Sequence, residues 1–306
     1  MSEIATIVLP VFGLIAVGLA GGLIGLFPRG TGRSLEVYLY QFALPVLLFN
    51  AMSKATLPSS PEWAVWASYF TGLLSAWAVS QLGLSLMGAD KRVAVIAGFS
   101  AAFSNLVLIG IPLVLAAFGE KGMVPLFIVL SVHLPLLTLL GTLLIERDQG
   151  PLGPALKRTV VSVARHPLLL GIVTGVAFNL AGLSLPETLD RMVVWVAQSA
   201  APLALIAMGL AVRRAGIGEV SSGVLVIVFA KLVLFPGIVW LMTHVVFTLP
   251  DGWAAVLVVM AALSSGLNCY LFALPYPKAV PLAAASVTLS TVLAIFTVSG
   301  WLWLVT

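Results

Sequence analysis

Ten stretches of mostly apolar residues follow one another along the chain, at 4–27, 35–53, 62–87, 92–118, 123–146, 167–184, 188–212, 220–247, 253–274 and 280–305. About twenty apolar residues are what an α-helix needs to cross the hydrocarbon core of a bilayer, so each stretch reads as one crossing. Of the 306 residues 61% are hydrophobic and 8% charged, with a mean hydropathy of +1.15. A soluble domain is not built that way. The expectation is an all-α polytopic membrane protein with ten transmembrane helices.

The first stretch begins beside acidic Glu3 and has no evident small-residue cleavage site, so it reads as a retained span rather than a signal peptide. A single cysteine, Cys269, excludes an intramolecular disulfide and a thiolate metal cage. No cofactor or metal site is expected, because the three histidines are scattered. The sequence pI near 9.4 invites a nucleic-acid reading, but topology accounts for the basic residues. If the N-terminus is outside, the cytoplasmic loops hold Arg29, Arg33, Lys91, Arg92, Arg147, Lys157, Arg158, Arg165, Arg213, Arg214 and Lys278, eleven of the fifteen. Lys54, Lys121 and Arg191 fall on the other side, and Lys231 lies inside a span. Positive charge collects on the cytoplasmic side of membrane proteins, which places both termini outside. The lipid bilayer, with its anionic headgroups, is then the partner for these residues, and no nucleic acid is needed.

The fourth stretch contains Ser104-Asn105-Leu106-Val107-Leu108-Ile109-Gly110-Ile111-Pro112, which is poorly suited to plain helix. Pro112 lacks an N–H and crowds the carbonyl four residues back, while Gly110 lowers the cost of leaving helical geometry. A helix broken at membrane depth survives only where it is buried in protein or lines a cavity. Q-x-A-x-P occurs at Gln41–Pro45 and again at Gln198–Pro202, 157 residues on; the same offset aligns Pro10 with Pro167, Ile15 with Ile172 and Gly18 with Gly175. Slightly shifted offsets place Ala101–Ser104 over Ala261–Ser264. Five spans per repeat is an odd number, so the second copy enters from the opposite side, giving two inverted five-helix repeats. The equivalent of the first break is Ser264-Ser265-Gly266-Leu267-Asn268-Cys269-Tyr270 in the ninth span, and helices 4 and 9 are expected to be broken and to cross near the midplane. The polar stretch 147–166 reads as a cytoplasmic linker between repeats 1–146 and 167–306.

Broken half-helices present N–H groups and a partial positive charge at their N-terminal ends, which favours an anion. The substrate-binding candidates are Ser104, Asn105, Gly110, Pro112, Ser264, Ser265, Gly266, Asn268 and Tyr270. Asn105 and Asn268 supply neutral amides that donate to a carboxylate; the competing role is satisfaction of their own helix breaks. Lys231 is about 16 Å into the eighth span at 1.5 Å per residue. Placing a lysine there costs about 2.5–3.5 kcal/mol. No carboxylate at comparable depth pairs with it, so it deprotonates, leans on carbonyls or faces an anionic substrate; its structural alternative is a bond to the broken helices. His133, mid-span and close to Pro135, is the natural titratable group for coupling; a neutral interhelical hydrogen bond is its structural alternative.

The run Asn105 to Leu113 with Phe118-Gly119 resembles the fourth span of the auxin efflux carrier family, plant PIN-type carriers and bacterial relatives. Phe42-Ala43-Leu44-Pro45 with Leu47-Leu48-Phe49, Ala201-Pro202-Leu203-Ala204-Leu205 with Gly209, and Asn268, Phe272-Ala273, Tyr276 and Leu289-Ser290-Thr291 also resemble it. The resemblance implies an integral plasma-membrane protein, the inner membrane in a bacterium, that moves small organic anions such as auxin-like acids or dicarboxylates. It implies a scaffold (1–53 and 167–212) that forms a homodimer, and a transport unit (62–146 and 220–305) that slides against it as an elevator. Relatives often carry a proline just before the second asparagine, where this chain has Ser264, Ser265 and Gly266.

The alternatives are a sodium-coupled symporter resembling the bile-acid transporter group and, from a different class, a membrane sensor or channel. No cytosolic signalling domain supports a sensor, and two broken helices predict slow, saturable flux rather than conductance. No nucleophile–base pair or metal set is visible at membrane depth, so an enzyme is not expected.

Overall fold

The structure, a computed structural model, describes residues 2–56, 63–146, 157, 160–161, 164–216 and 218–306. Among these residues the chain is helical throughout, and its one extended pairing is an isolated antiparallel bridge between Ser104 and Ser265. The helices are α1 (Ser2–Leu23), α2 (Thr31–Tyr38), α3 (Leu44–Lys54), α4 (Trp63–Leu86), α5 (Lys91–Ala102), α6 (Ile111–Phe118) and α7 (Met123–Glu146). After them come α8 (Pro167–Leu180), α9 (Glu187–Ala215), α10 (Ser222–Phe229), α11 (Phe235–Leu241), α12 (Asp251–Ala262), α13 (Asn268–Ala273) and α14 (Val280–Val305).

Six helical stretches are by themselves long and apolar enough to cross a membrane: Glu3–Leu23, Thr31–Lys54, Leu106–Ile145, Glu187–Ala215, Ser222–Val246 and Val280–Val305. The chain is therefore a polytopic membrane protein. Leu106–Ile145 reverses at the 3-10 turn Gly119–Gly122, where Gly119 sits at φ 61 in the left-handed region that suits glycine. The predicted fourth and ninth runs are each divided, α5 from α6 and α12 from α13. The predicted linker 147–166 falls largely outside the described residues.

Three of the long helices loosen at a proline in one way. Short π-helical stretches at Leu39–Ala43, Leu106–Gly110 and Ala230–Leu234 are followed, one residue on, by Pro45, Pro112 and Pro236. The intervening residue bonds back five positions, Leu44 to Leu39, Ile111 to Leu106 and Phe235 to Ala230. A wider turn gives the ring room that an α-turn denies it, and it keeps the helix going. The carbonyl four residues before Pro236 is not left bare, since the Trp301 indole N–H donates to Leu232 O at 3.1 Å. In lipid such a carbonyl has no water to turn to.

α1 packs on α9, and α3 on α8, at glycines. A Cβ on Gly18 would lie 2.2 Å from the Ile206 carbonyl oxygen, and one on Gly209 would lie 2.1 Å from that of Ile15. In the other pair, a Cβ on Gly175 would lie 2.8 Å from the Phe49 carbonyl oxygen, and one on Gly171 would lie 2.5 Å from that of Pro45. Helices in lipid gain little from hydrophobic burial, so backbone approach over small residues carries the packing. The stretch Thr31–Lys54 is also tied to α9 at both ends, by Lys54–Asp190 at 2.6 Å and Arg214–Glu36 at 2.9 Å.

A side chain at Gly209 meets backbone, which cannot swing aside. Gly209→Val is expected to lower the stability of the detergent-purified protein by at least about 1–3 kcal/mol, the usual cost of overpacking. Gly300→Ala, with nothing within 4 Å of the added atom, is expected to leave it unchanged or slightly raised. Thermal denaturation of the two variants checks this.

Candidate functional site

The site grows from two gaps in helical hydrogen bonding. α5 stops at Ala102, and helical geometry resumes at Leu106; α12 stops at Ala262, and α13 begins at Asn268. The intervening segments lie antiparallel. Asn105 N–H donates to Ser264 O at 3.0 Å and Gly266 N–H to Phe103 O at 2.8 Å, so Ser104 and Ser265 face each other between two bonds. Asn105, at φ −77 and ψ 59, is the centre of an inverse γ-turn closed by Leu106 N–H on Ser104 O at 2.8 Å.

Side chains supply further partners. Ser265 N–H donates to Ser290 Oγ at 3.0 Å, and Ser265 Oγ–H donates to Ser100 O at 2.7 Å. Lys231 is fully buried, and its ammonium donates to Ser104 Oγ at 2.7 Å and Ala261 O at 2.6 Å while lying 4.5 Å from the Phe235 ring centroid. Ala261 is in the last turn of α12, where carbonyls lack helical donors and the dipole end is negative. A cation suits that place. Lys231 thus pins α12 to Ser104, joining both gaps through neutral acceptors.

The interruption falls at Phe103–Asn105, ahead of the Gly110 and Pro112 that the sequence reading held responsible. Gly110 lies within the π-helical stretch and Pro112 in the first turn of α6. Gly110 has another constraint, since a Cβ there would sit 2.9 Å from Leu263 Cδ1, a residue of the opposite gap. Gly266 is tighter still against Phe103, at 2.7 Å from its ring.

A narrow cleft with a cavity volume of about 20 Å³, room for about one water molecule, reaches these gaps. Of the sequence candidates, Ser104, Asn105, Gly266, Asn268 and His133 lie on its wall. Ser264, Ser265, Gly110, Pro112 and Lys231 stand in or behind the crossing, and Tyr270 is off the wall. Asn105 is 4% exposed, and its amide N–H donates to Met208 Sδ at 3.1 Å. A thioether is a weak acceptor, so most of the donating capacity of that amide is unspent.

Sequence reasoning missed Tyr40, Phe103 and His166 on the wall and Ser290 behind the crossing. His166 sits just ahead of α8, and burial holds its imidazole below the usual histidine range. A histidine at the start of a span reads as interfacial, and its place at the cleft follows only from tertiary packing. Ser290 was visible only as part of a motif, because a serine on a fully apolar helix gives no hint of which backbone group it serves.

A crossing of two non-helical segments, satisfied by polar groups within an apolar helical bundle and opening on a cleft, belongs to membrane transport proteins. The sequence signature of the family described as membrane transport protein matches residues 3–302, and the chain belongs to that family, the auxin efflux carrier-like group. It is 27% identical over 312 aligned residues, covering 100% of this chain and 97% of the relative, to a protein of Rhizobium meliloti (strain 1021) described as "Putative malonate transporter". It is 23% identical over 297 residues, 96% of each chain, to an "Uncharacterized transporter" of Methanothermobacter thermautotrophicus.

Ser290→Ala removes the acceptor of a buried backbone N–H at Ser265. An unpaired buried donor costs about 1–3 kcal/mol, and a loss of that size is expected in thermal denaturation. Ser299→Ala, which removes only a bond back to Ile295 O in its own helix, is expected to be near neutral.

Proposed function

We propose that the chain is a secondary carrier of small carboxylates, with the substrate held at the wall formed by Asn105, Asn268 and the helix start at Leu106. The observation that carries this reading is the convergence of two amides from separate gaps on one cleft lined by no aspartate or glutamate among the described residues. The helix start adds N–H donors without helical acceptors and the positive end of a dipole. Lys231 contributes from behind, by holding the crossing in place through its hydrogen bonds to Ser104 Oγ and Ala261 O. A carboxylate is the ligand this constellation suits, and the description of the Rhizobium relative favours a dicarboxylate such as malonate.

The architecture we infer is ten spans in two inverted five-span repeats with both termini outside. Support comes from the helix crossings. Adding 157 to Gly18 and Phe49 gives Gly175 and Ile206; the contacts Gly18–Ile206 and Gly175–Phe49 are therefore the same contact with the repeats exchanged. Alternating access by an elevator is the motion we assign. The candidate cleft runs between Tyr40, His166, Leu168 and Leu169 on one side and the crossing with Leu130–Leu134 on the other. A second, larger cleft separates Leu47–Thr56 and Val194–Gln198 from Leu115, Glu120–Val124 and Trp253. Both follow the seam between the segments assigned to scaffold (1–53 and 167–212) and transport unit (62–146 and 220–305).

Proteoliposomes containing the wild-type protein are expected to take up labelled malonate saturably. Asn105→Ala and Asn268→Ala are each expected to cut the initial rate about ten- to a hundredfold, the equivalent of a charged hydrogen bond worth about 1.5–3 kcal/mol. Unchanged rates in both variants would remove the amides from the site, and unitary currents in planar bilayers would replace the carrier with a channel.

A further inference from the structure

His133 is 1% exposed, lies on the wall of the candidate cleft, and makes no well-formed hydrogen bond at Nδ1 or Nε2, its one polar approach being a loose one to the Ser104 backbone. Buried polar atoms are nearly always paired, and leaving one bare costs about 1–3 kcal/mol. The ring is fixed by aromatic edges instead, with centroids 4.9 Å from Phe103 and 5.8 Å from Tyr69. Phe103 is itself part of the crossing and adjoins Ser104 and Asn105. An imidazole held this way on the cleft wall, with no more than a loose approach to the Ser104 backbone, is available to something that enters the cleft.

The groups around it decide what that is. From α4 it faces the Tyr69 ring, whose hydroxyl approaches the Ser104 side chain. From the first gap it faces Ser104, and beyond that hydroxyl stands the Lys231 ammonium from the stretch between α10 and α11. Along the cleft lie Asn105 and Asn268 from the two gaps, Tyr40 ahead of α3, and His166 ahead of α8, whose Nδ1 is buried and unpartnered. No carboxylate faces His133 among the described residues. An imidazolium here has no protein counter-charge and stands in the field of Lys231. Its missing counter-charge is the anion itself.

Resting on the carboxylate-carrier reading, we infer that His133 is the proton site of the carrier, binding one proton together with each anion. The proton comes from water at the mouth of the cleft and is taken on an imidazole nitrogen, and the resulting N–H⁺ donates to the bound carboxylate. Each ligand raises the affinity for the other, and by linkage the two effects are equal. The neutral, empty site and the doubly loaded site are both free of an uncompensated histidine charge, whereas a site loaded with the proton alone is not. That exclusion, together with the weaker binding of the anion without its proton, makes the doubly loaded site the form that carries the anion across.

Malonate binding to the purified full chain, followed by calorimetry from about pH 6 to about pH 8, spans the range in which histidine changes charge. Wild type is expected to lose affinity by up to about tenfold per pH unit on the alkaline side, the slope of one linked proton. It is also expected to take up about one proton per malonate, read with an indicator dye in weak buffer. His133→Gln and His133→Asn are expected to bind malonate with a profile carrying only malonate's own titration and with no proton uptake; His244→Gln, away from the cleft and bonded within its own helix, is expected to keep the wild-type uptake. Wild-type binding with a flat profile and no uptake would overturn the proton site and leave the carboxylate reading standing. Uptake that survives in both His133 variants would overturn it as well. Absence of malonate binding at any pH would overturn the carboxylate reading and this inference together.

Discussion

Everything in this structure depends on one constraint: a backbone polar group at membrane depth must find its partner inside the protein. Two helices stop short of completing their spans, and the groups they leave behind bond to each other, as Asn105 N–H does to Ser264 O and Gly266 N–H to Phe103 O. Ser290, Ser100 and Lys231 close the account at Ser265 and Ala261. The loosened turns ahead of Pro45, Pro112 and Pro236 obey the same rule by a different route, exchanging an α-turn for a wider one. A site made of helix ends can exist here only because its surroundings are so thoroughly satisfied.

Against that background the bare groups stand out. His133 and Tyr69 Oη make only loose approaches to Ser104, and Ser264 Oγ is buried without a partner. Lys231, which looks from sequence like the group awaiting an anion, has spent two of its donors on Ser104 and Ala261. The division of labour is thus the reverse of what charge alone suggests: Lys231 holds the crossing together, and the His133 ring lies on the wall of the candidate cleft. Lysine at the end of α12 also answers its insertion cost, since an unpaired carbonyl at the negative end of a helix dipole is a favourable place for it.

Much of this was legible in the sequence, and the limits have physical causes. Apolar run length marks the membrane class because hydrocarbon thickness sets it. The polar clusters at Ser104-Asn105 and Ser264 to Asn268 locate the two gaps because serine and asparagine are costly there without a reason. The position of the first gap was displaced, since Gly110 and Pro112 are the residues that disfavour helix in isolation, whereas the structure absorbs Pro112 in a π-turn and opens the chain at Phe103–Asn105. Partners such as Ser290 and Met208 were invisible, because their relation to the gaps is set by how helices pack. Tyr270, polar and close to Asn268, points to the site by spacing alone, and the turn of α13 carries it off the wall.

On the proposed function the two gaps hold the anion together. Hydrogen–deuterium exchange of the protein in detergent, with and without saturating malonate, tests this at the residues concerned. Malonate is expected to slow exchange at Asn105 to Leu108 and at Gly266 to Tyr270 together, while α1 and α8 are unaffected. Malonate that binds while both segments exchange unchanged, or that protects only the second cleft around Lys121 and Gln198, would contradict it.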